Sequence, residues 1–93
     1  MVDVSIILVS YNTESLTKDC LKSVIEKTQG LNYDIWVVDN NSSDNSCEMI
    51  KKEFPQVNLI ENKENKGFGA ANNQAIKQTN AKYVFLLNTD RYR

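Results

Sequence analysis

Three polar clusters in this 93-residue chain carry side chains able to do chemistry, and each follows directly on an apolar run. Ser10-Tyr11-Asn12 follows Val4-Ser5-Ile6-Ile7-Leu8-Val9, and Asp39-Asn40-Asn41-Ser42-Ser43 follows Ile35-Trp36-Val37-Val38. Asn88-Thr89-Asp90 follows Tyr83-Val84-Phe85-Leu86-Leu87. Asp39 is the best single candidate, because a carboxylate at the end of a buried strand costs desolvation unless a donor meets it. That donor is either the following turn or helix, which Asp often caps, or a ligand N–H such as the imide N3–H of uracil or thymine. Cytosine has an acceptor at that ring position and would be rejected. Asp90 lies two residues beyond an amide, a pattern able to hold a divalent cation against a diphosphate. Taken alone, the triplet reads as a strand-ending turn.

A fourth cluster, Asn65-Lys66-Gly67-Phe68-Gly69-Ala70-Ala71-Asn72-Asn73, combines glycines with amides. Gly67 and Gly69 permit close approach of backbone to a ligand, and a helix starting there presents free N–H groups. As a dinucleotide fingerprint it is a poor match, since it reads Gly-x-Gly-x-x-Asn and follows the third strand rather than the first. The chain has no histidine, so a metal would be held mainly by oxygen, which favours Mg2+ or Mn2+ over zinc.

The elements that must position these clusters can be read from periodicity. The short continuous apolar runs are those of strands buried on both faces, as in a parallel sheet. In such sheets ligands bind at the carboxyl ends of the strands, where the polar clusters fall. Between the first two runs Leu16, Cys20, Leu21, Val24 and Thr28 recur at helical spacing, with Gly30 as C-cap. A strand over 33–38 is followed by N-cap oxygens at Ser42, Ser43 and Asp44. The second helix has the stripe Cys47, Ile50 and Phe54 and stops at Pro55. A short strand over 57–60, a helix over 70–79 with Ala71, Ala75 and Thr79 on one face, and a strand over 83–87 complete the pattern. The order βαβαβαβ predicts an α/β fold, a Rossmann-like doubly wound parallel sheet built as one unit.

Composition narrows the function class. The chain is 41% hydrophobic and 25% charged, with a formal net charge of -1, which argues against a nucleic-acid partner. No apolar run is long enough to span a bilayer, and Asp3 stands where a signal peptide would carry basic residues. A cytoplasmic location is expected, with the inner face of the membrane reached only through parts or partners outside this chain. Cys20 and Cys47 occupy apolar helical positions and read as reduced thiols, not as a disulfide or a metal site.

Together the segments Val4 to Asn12, Val37-Val38-Asp39-Asn40-Asn41-Ser42-Ser43-Asp44, Asn65-Lys66-Gly67-Phe68-Gly69-Ala70-Ala71-Asn72 and Leu86-Leu87-Asn88-Thr89-Asp90 resemble, in order and spacing, the family 2 glycosyltransferases. The resemblance covers essentially the whole chain and corresponds to the first, nucleotide-binding half of a GT-A fold. It implies the donor-binding part of an inverting glycosyltransferase, which transfers a sugar from a UDP- or dTDP-linked donor to the hydroxyl of a glycan or lipid-linked glycan. Ser10, Tyr11 and Asn12 would line the nucleoside pocket, with Tyr11 against the base and Asp39 on the base edge. Asn65, Lys66 and Gly67 would border the nucleotide, and Asn72 would face the same cleft. Asp90, with Asn88 as a further candidate, would hold Mg2+ or Mn2+ on the diphosphate. No catalytic base is assigned in this chain, because family members supply it from segments further along.

Two departures stand out. Asn88 replaces the first acid of the family's D-x-D-like metal motif, a variant similar to that of bacterial rhamnosyl- and related transferases. Thr89 and Arg91 stand where a proline and a small or apolar residue are expected. The chain therefore reads as one subdomain, residues 1–93, truncated at its carboxyl end and inactive in isolation. The alternatives are a non-catalytic nucleotide-binding or interaction module, and a receiver with Asp39 as phosphoacceptor. The receiver lacks the acidic cluster it would need after the first strand. In the related fold the strand order three, two, one, four leaves 83–87 at an edge, so homo-oligomers through that strand are expected.

Overall fold

In the computed structural model, which describes residues 2–87, three βα units are followed by a final strand. The elements are β1 (Val4–Ser10), α1 (Glu14–Lys27), β2 (Tyr33–Asp39), α2 (Ser46–Glu53), β3 (Asn58–Glu61), α3 (Phe68–Gln78) and β4 (Tyr83–Leu87). All four strands are parallel, in the order β3-β2-β1-β4. The register sets Ser10 opposite Asp39 and Asp39 opposite Glu61, so the polar strand ends form one row.

The sheet is covered on both faces because alternate residues of β1 and β2 are apolar in both directions. Ile6, Leu8, Ile35 and Val37 pack with Cys20, Leu21, Met49 and Ile50 of α1 and α2. Ile7, Val9 and Val38 pack on the other face against Ala71 and Ala75 of α3. The two small residues let α3 lie close to the strands. The chain winds β1, β2, β3 outward in one direction and then returns to place β4 on the far side of β1. This reversal is the topological switch that opens a crevice in doubly wound sheets.

Several expected details are corrected. In α1 the buried stripe is Thr17, Cys20 and Leu21, whereas Leu16 is 36% exposed. Thr17 is buried because its hydroxyl joins those of Ser10, at 3.2 Å, and Thr13, at 3.1 Å, beneath the end of β1. The C-cap of α1 is Thr28, and Gly30 makes the loop turn two residues later at φ 73°. In α2 the N-cap is Asn45, which makes no side-chain capping bond; Asp44 just before it accepts the Ser46 N–H through Oδ1 at 3.0 Å, while Ser42 bonds Asp39 and Ser43 bonds Asn12. Met49 and Ile50 are buried in α2, and Cys47 is only half-buried. The third helix begins at Phe68, and Thr79 is its C-cap. Finally, β4 is not buried on both faces: Tyr83, Val84, Phe85 and Leu86 are all exposed, because among the described residues no helix packs extensively across it.

Candidate functional site

Asp39 is 2% exposed at the carboxyl end of β2. Its Oδ2 accepts the backbone N–H of Ser42 at 2.8 Å, and its Oδ1 accepts the Ser42 hydroxyl at 2.6 Å. The turn reading of Asp39 is therefore realised. It does not exhaust the carboxylate, which has about four acceptor positions. Asp39 also lines a hollow of about 270 Å3 with Asn41, Ser42, Asp44, Cys47 and Glu61.

The loop after β1 is held against this turn. Asn12 adopts φ 53°, and its Oδ1 accepts the Ser43 N–H at 2.7 Å and the Ser43 hydroxyl at 3.2 Å. Its amide oxygen is thus committed to protein contacts. Tyr11, one residue earlier, is 48% exposed and free to present its ring. Ser10 is fully buried, so only its neighbours in the loop offer surface.

Asn40, which the sequence reading left out of the site, binds the remaining loops together. It is 2% exposed. Its backbone N–H donates to the Ser10 carbonyl at 2.9 Å. Its side-chain N–H donates to the Gly67 carbonyl at 3.2 Å, and its Oδ1 accepts from Asn62 at 3.0 Å and from the Lys66 N–H at 3.4 Å. Asn62 in turn exchanges two amide hydrogen bonds with Gln74 of α3, at 2.7 and 2.8 Å. The available signal was a second amide directly after Asp39 at a buried strand end, where a backbone-like donor and acceptor can join loops.

The glycine loop is shaped from within. Asn65 Oδ1 accepts the Gly67 N–H at 2.8 Å. Gly67 has φ 84° and ψ 165°, which excludes side-chain-bearing residues without strain. Gly69 lies in the first turn of α3, has no such φ and meets open space, so only Gly67 needs to be glycine. Asn65, Lys66 and Gly67 are exposed, whereas Asn72 is 4% exposed and makes no side-chain hydrogen bond among the described residues. Its amide is available in a way those of Asn12 and Asn40 are not.

Charge at the hollow is strongly structured. The Lys51 ammonium meets Glu61 at 2.8 Å, and that hydrogen bond holds the Glu61 carboxyl below its ordinary value. At Asp44 desolvation works against the charge, but hydrogen bonds from Ser46 outweigh it and the carboxyl is lowered. Burial pushes the Cys47 thiol up to about 12, aided by the negative charge of Asp39. Among the described residues no cluster of three or more His, Cys, Asp or Glu could hold a metal ion. Asn88 and Asp90, the expected metal ligands, lie outside the described residues. The last described residue, Leu87, pairs with Leu8, so β4 points toward the same carboxyl edge as Asp39.

A doubly wound parallel sheet with polar loops gathered at the carboxyl ends of its strands is the architecture in which α/β proteins bind ligands. The comparisons make this specific. The glycosyl transferase family 2 model matches residues 5–92, and the chain belongs to that family. It is 35% identical over 94 residues to the poly(ribitol-phosphate) beta-glucosyltransferase of Bacillus spizizenii, covering 96% of this chain and 15% of that protein. It is 32% identical over 88 residues to the UDP-Glc:alpha-D-GlcNAc-diphosphoundecaprenol beta-1,3-glucosyltransferase WfgD of Escherichia coli, covering 94% and 34% respectively. The chain thus spans about a third or less of these relatives. Among solved structures, S. aureus TarS 1-349 in complex with UDP superposes with a TM-score of 0.83 at 23% identity, over 95% of this chain and 27% of that one. The mannosyltransferase PcManGT of Pyrobaculum calidifontis, in complex with GDP-Man and Mn2+, gives a TM-score of 0.83 at 23% identity, over 97% and 30%. The fold is therefore that of the first part of a GT-A glycosyltransferase.

Proposed function

We propose that this chain is the donor-binding part, residues 1–93, of an inverting glycosyltransferase that uses a UDP- or dTDP-linked sugar. The observation that carries the reading is Asp39, a buried carboxylate with unused acceptor positions, on the wall of a hollow at the carboxyl edge of the sheet, between the ends of β2 and β3 and α2. The family match gives that edge its chemistry. Asp39 accepts the N3–H of the base, Tyr11 lies against the ring, and Tyr11 and Asn12 form the pocket wall, with buried Ser10 supporting the loop from beneath. Asn12 contributes by shaping this wall, since its amide oxygen is already bonded to Ser43. Asn65, Lys66 and Gly67 border the nucleotide, the Lys66 charge facing its phosphates, and the Asn72 amide, without a side-chain partner among the described residues, meets the donor from α3.

In the proposed reaction the acceptor oxygen attacks the anomeric carbon as the bond to the diphosphate oxygen breaks. The bonding electrons leave with the diphosphate, and the hydroxyl proton passes to a general base. Asp90, with Asn88 as a further oxygen donor, is the proposed holder of Mg2+ or Mn2+, which when bound supplies positive charge to the diphosphate. Hard oxygen donors in a chain without histidine suit either ion. No base is assigned among these residues, so base and acceptor surface are placed elsewhere in the parent protein, and the isolated chain is expected to bind without transferring. The acceptor class proposed is a glycan or lipid-linked glycan, in keeping with the name of the WfgD relative. Association through β4 is proposed for the isolated chain.

Titration calorimetry tests the donor site. Uridine and thymidine diphosphates should bind better than cytidine diphosphate, and Asp39→Ala should weaken uridine diphosphate by about 1.5–3 kcal/mol, the range for a hydrogen bond to a charged group. Equal affinities for the uracil and cytosine nucleotides would reject the assignment.

A further inference from the structure

Ser42 uses its hydroxyl in both directions. The single proton goes to Asp39 Oδ1 at 2.6 Å, and the oxygen accepts the Asn12 backbone N–H at 2.9 Å. The Ser42 backbone N–H meanwhile holds Asp39 Oδ2 at 2.8 Å, so the two carboxylate oxygens are pinned by two donors of one residue. A continuous chain of hydrogen bonds therefore runs from the loop carrying Tyr11, through Ser42, to the Asp39 carboxylate. The same seam is reinforced further out, where Asp44 accepts the Glu14 N–H at 3.2 Å and Glu14 accepts the Asn45 N–H at 3.3 Å. These outer bonds keep the loops together without touching Asp39.

We propose that Ser42 is a positioning residue that sets base specificity, by fixing the plane of the Asp39 carboxylate and tying to it the loop that carries Tyr11. The inference rests on the reading that Asp39 meets the base. A carboxylate is not by itself selective for uracil, because cytosine offers its exocyclic amino group as an alternative donor. Rejection of cytosine requires that the carboxylate stay aimed at the ring-nitrogen position, where cytosine presents a lone pair. With the Oδ1 restraint gone, the group can turn about its last bond and reach the amino group. Loss of the Ser42 hydroxyl should thus reduce discrimination more than it reduces binding as such.

The test is calorimetric titration of the 93-residue chain with uridine and cytidine diphosphates at fixed Mg2+, for the parent and for Ser42→Ala, Ser42→Thr and Asp39→Asn. The parent should prefer the uracil nucleotide. Ser42→Ala should lower the uracil-to-cytosine affinity ratio by roughly tenfold, the worth of one hydrogen bond to a charged group. Ser42→Thr, which keeps the hydroxyl, should restore the ratio to within about twofold of the parent. Ser42→Cys, whose thiol is a weak donor, carries the same expectation as Ser42→Ala and replaces it should that variant not fold. Asp39→Asn should abolish or invert the preference. If Asp39→Asn does so while Ser42→Ala lowers both affinities equally, the proposal is overturned and the Asp39 reading stands. An unchanged ratio in Asp39→Asn overturns both.

Discussion

At the scale of single residues, the two thiols show how strongly position controls reactivity here. Cys20 lies in the core, and burial pushes its thiol up to about 11. Cys47 is only half-buried, but burial together with the charges of Asp39 and Glu61 pushes it up to about 12. Both folded values lie above the ordinary 9.0. The folded state therefore holds these protons more tightly than the unfolded state. The stability linked to them is intact below pH 9 and is lost as pH rises through 11 to 12. Since the thiolate is the nucleophile, alkylation by iodoacetamide at pH 8 should be roughly 100-fold slower for Cys20 in the native chain than in urea, and slower still for Cys47. Rapid native labelling of Cys47 would show that the carboxylates do not face its thiol. Neither cysteine is then a reactive part of the proposed donor site.

At the scale of elements, the site is an agreement among three loops, and Asn40 is where they meet. It joins the end of β1, the glycine loop before α3 and the segment after β3 through one buried side chain and its backbone N–H. Asn40→Ala would leave the Gly67 carbonyl, the Lys66 N–H and one Asn62 proton without their partner. Lys66 and Gly67 are exposed and Asn62 is half-buried, so water can meet part of the loss and the cost is about 1 kcal/mol, the low end for an unpaired group. The expected result is a fall in melting temperature of roughly 4–8 °C per kcal/mol for a domain of this size, read by circular dichroism. A melting temperature unchanged in Asn40→Ala would mean that water replaces these bonds at no cost. Nucleotide affinity should fall as well, because Lys66 and Gly67 lose the anchor that holds them beside Asp39.

At the scale of the whole molecule, one side of the sheet is finished and the other, among the described residues, is bare. β3 is short and ends in Glu61, paired with Lys51, the kind of charged edge that resists further pairing. β4 instead presents Tyr83 at 62% and Phe85 at 56% exposure beside an apolar groove of about 390 Å3. Light scattering on the purified chain should therefore show a mass that rises with concentration. Phe85→Lys should shift it toward monomer, since a charge on an edge strand opposes pairing. A stable monomer at high concentration would remove the proposed association.

Much of the architecture was legible before any coordinates. The order of elements followed from apolar runs and helical periodicity, and β2 ends at Asp39 within a residue of the predicted boundary. The strand order and the position of β4 at an edge also agree with the family resemblance. Asp39 stood out because burying a carboxylate is costly whatever its neighbours are. These are properties of short stretches of chain, and a short stretch is enough to read them.

Tertiary structure alone decided which partners satisfy those groups. Ser42 on Asp39 is a local turn, but Asn12 with Ser43 joins residues 31 positions apart, and Asn40 with Gly67 joins residues 27 apart. No periodicity marks such pairs, because each depends on two loops arriving at the same edge of the sheet. The same holds for Thr17 replacing Leu16 in the core, where a hydroxyl cluster beneath Ser10 makes a polar residue the better fit. It holds also for β4, whose apolar run reads as buried and is exposed because, among the described residues, no helix packs extensively across its faces. Sequence by itself determined which groups must be satisfied and on which edge they gather. The fold decided which of them are used up in holding that edge together and which, like Tyr11 and Asn72, make no side-chain hydrogen bond among the described residues.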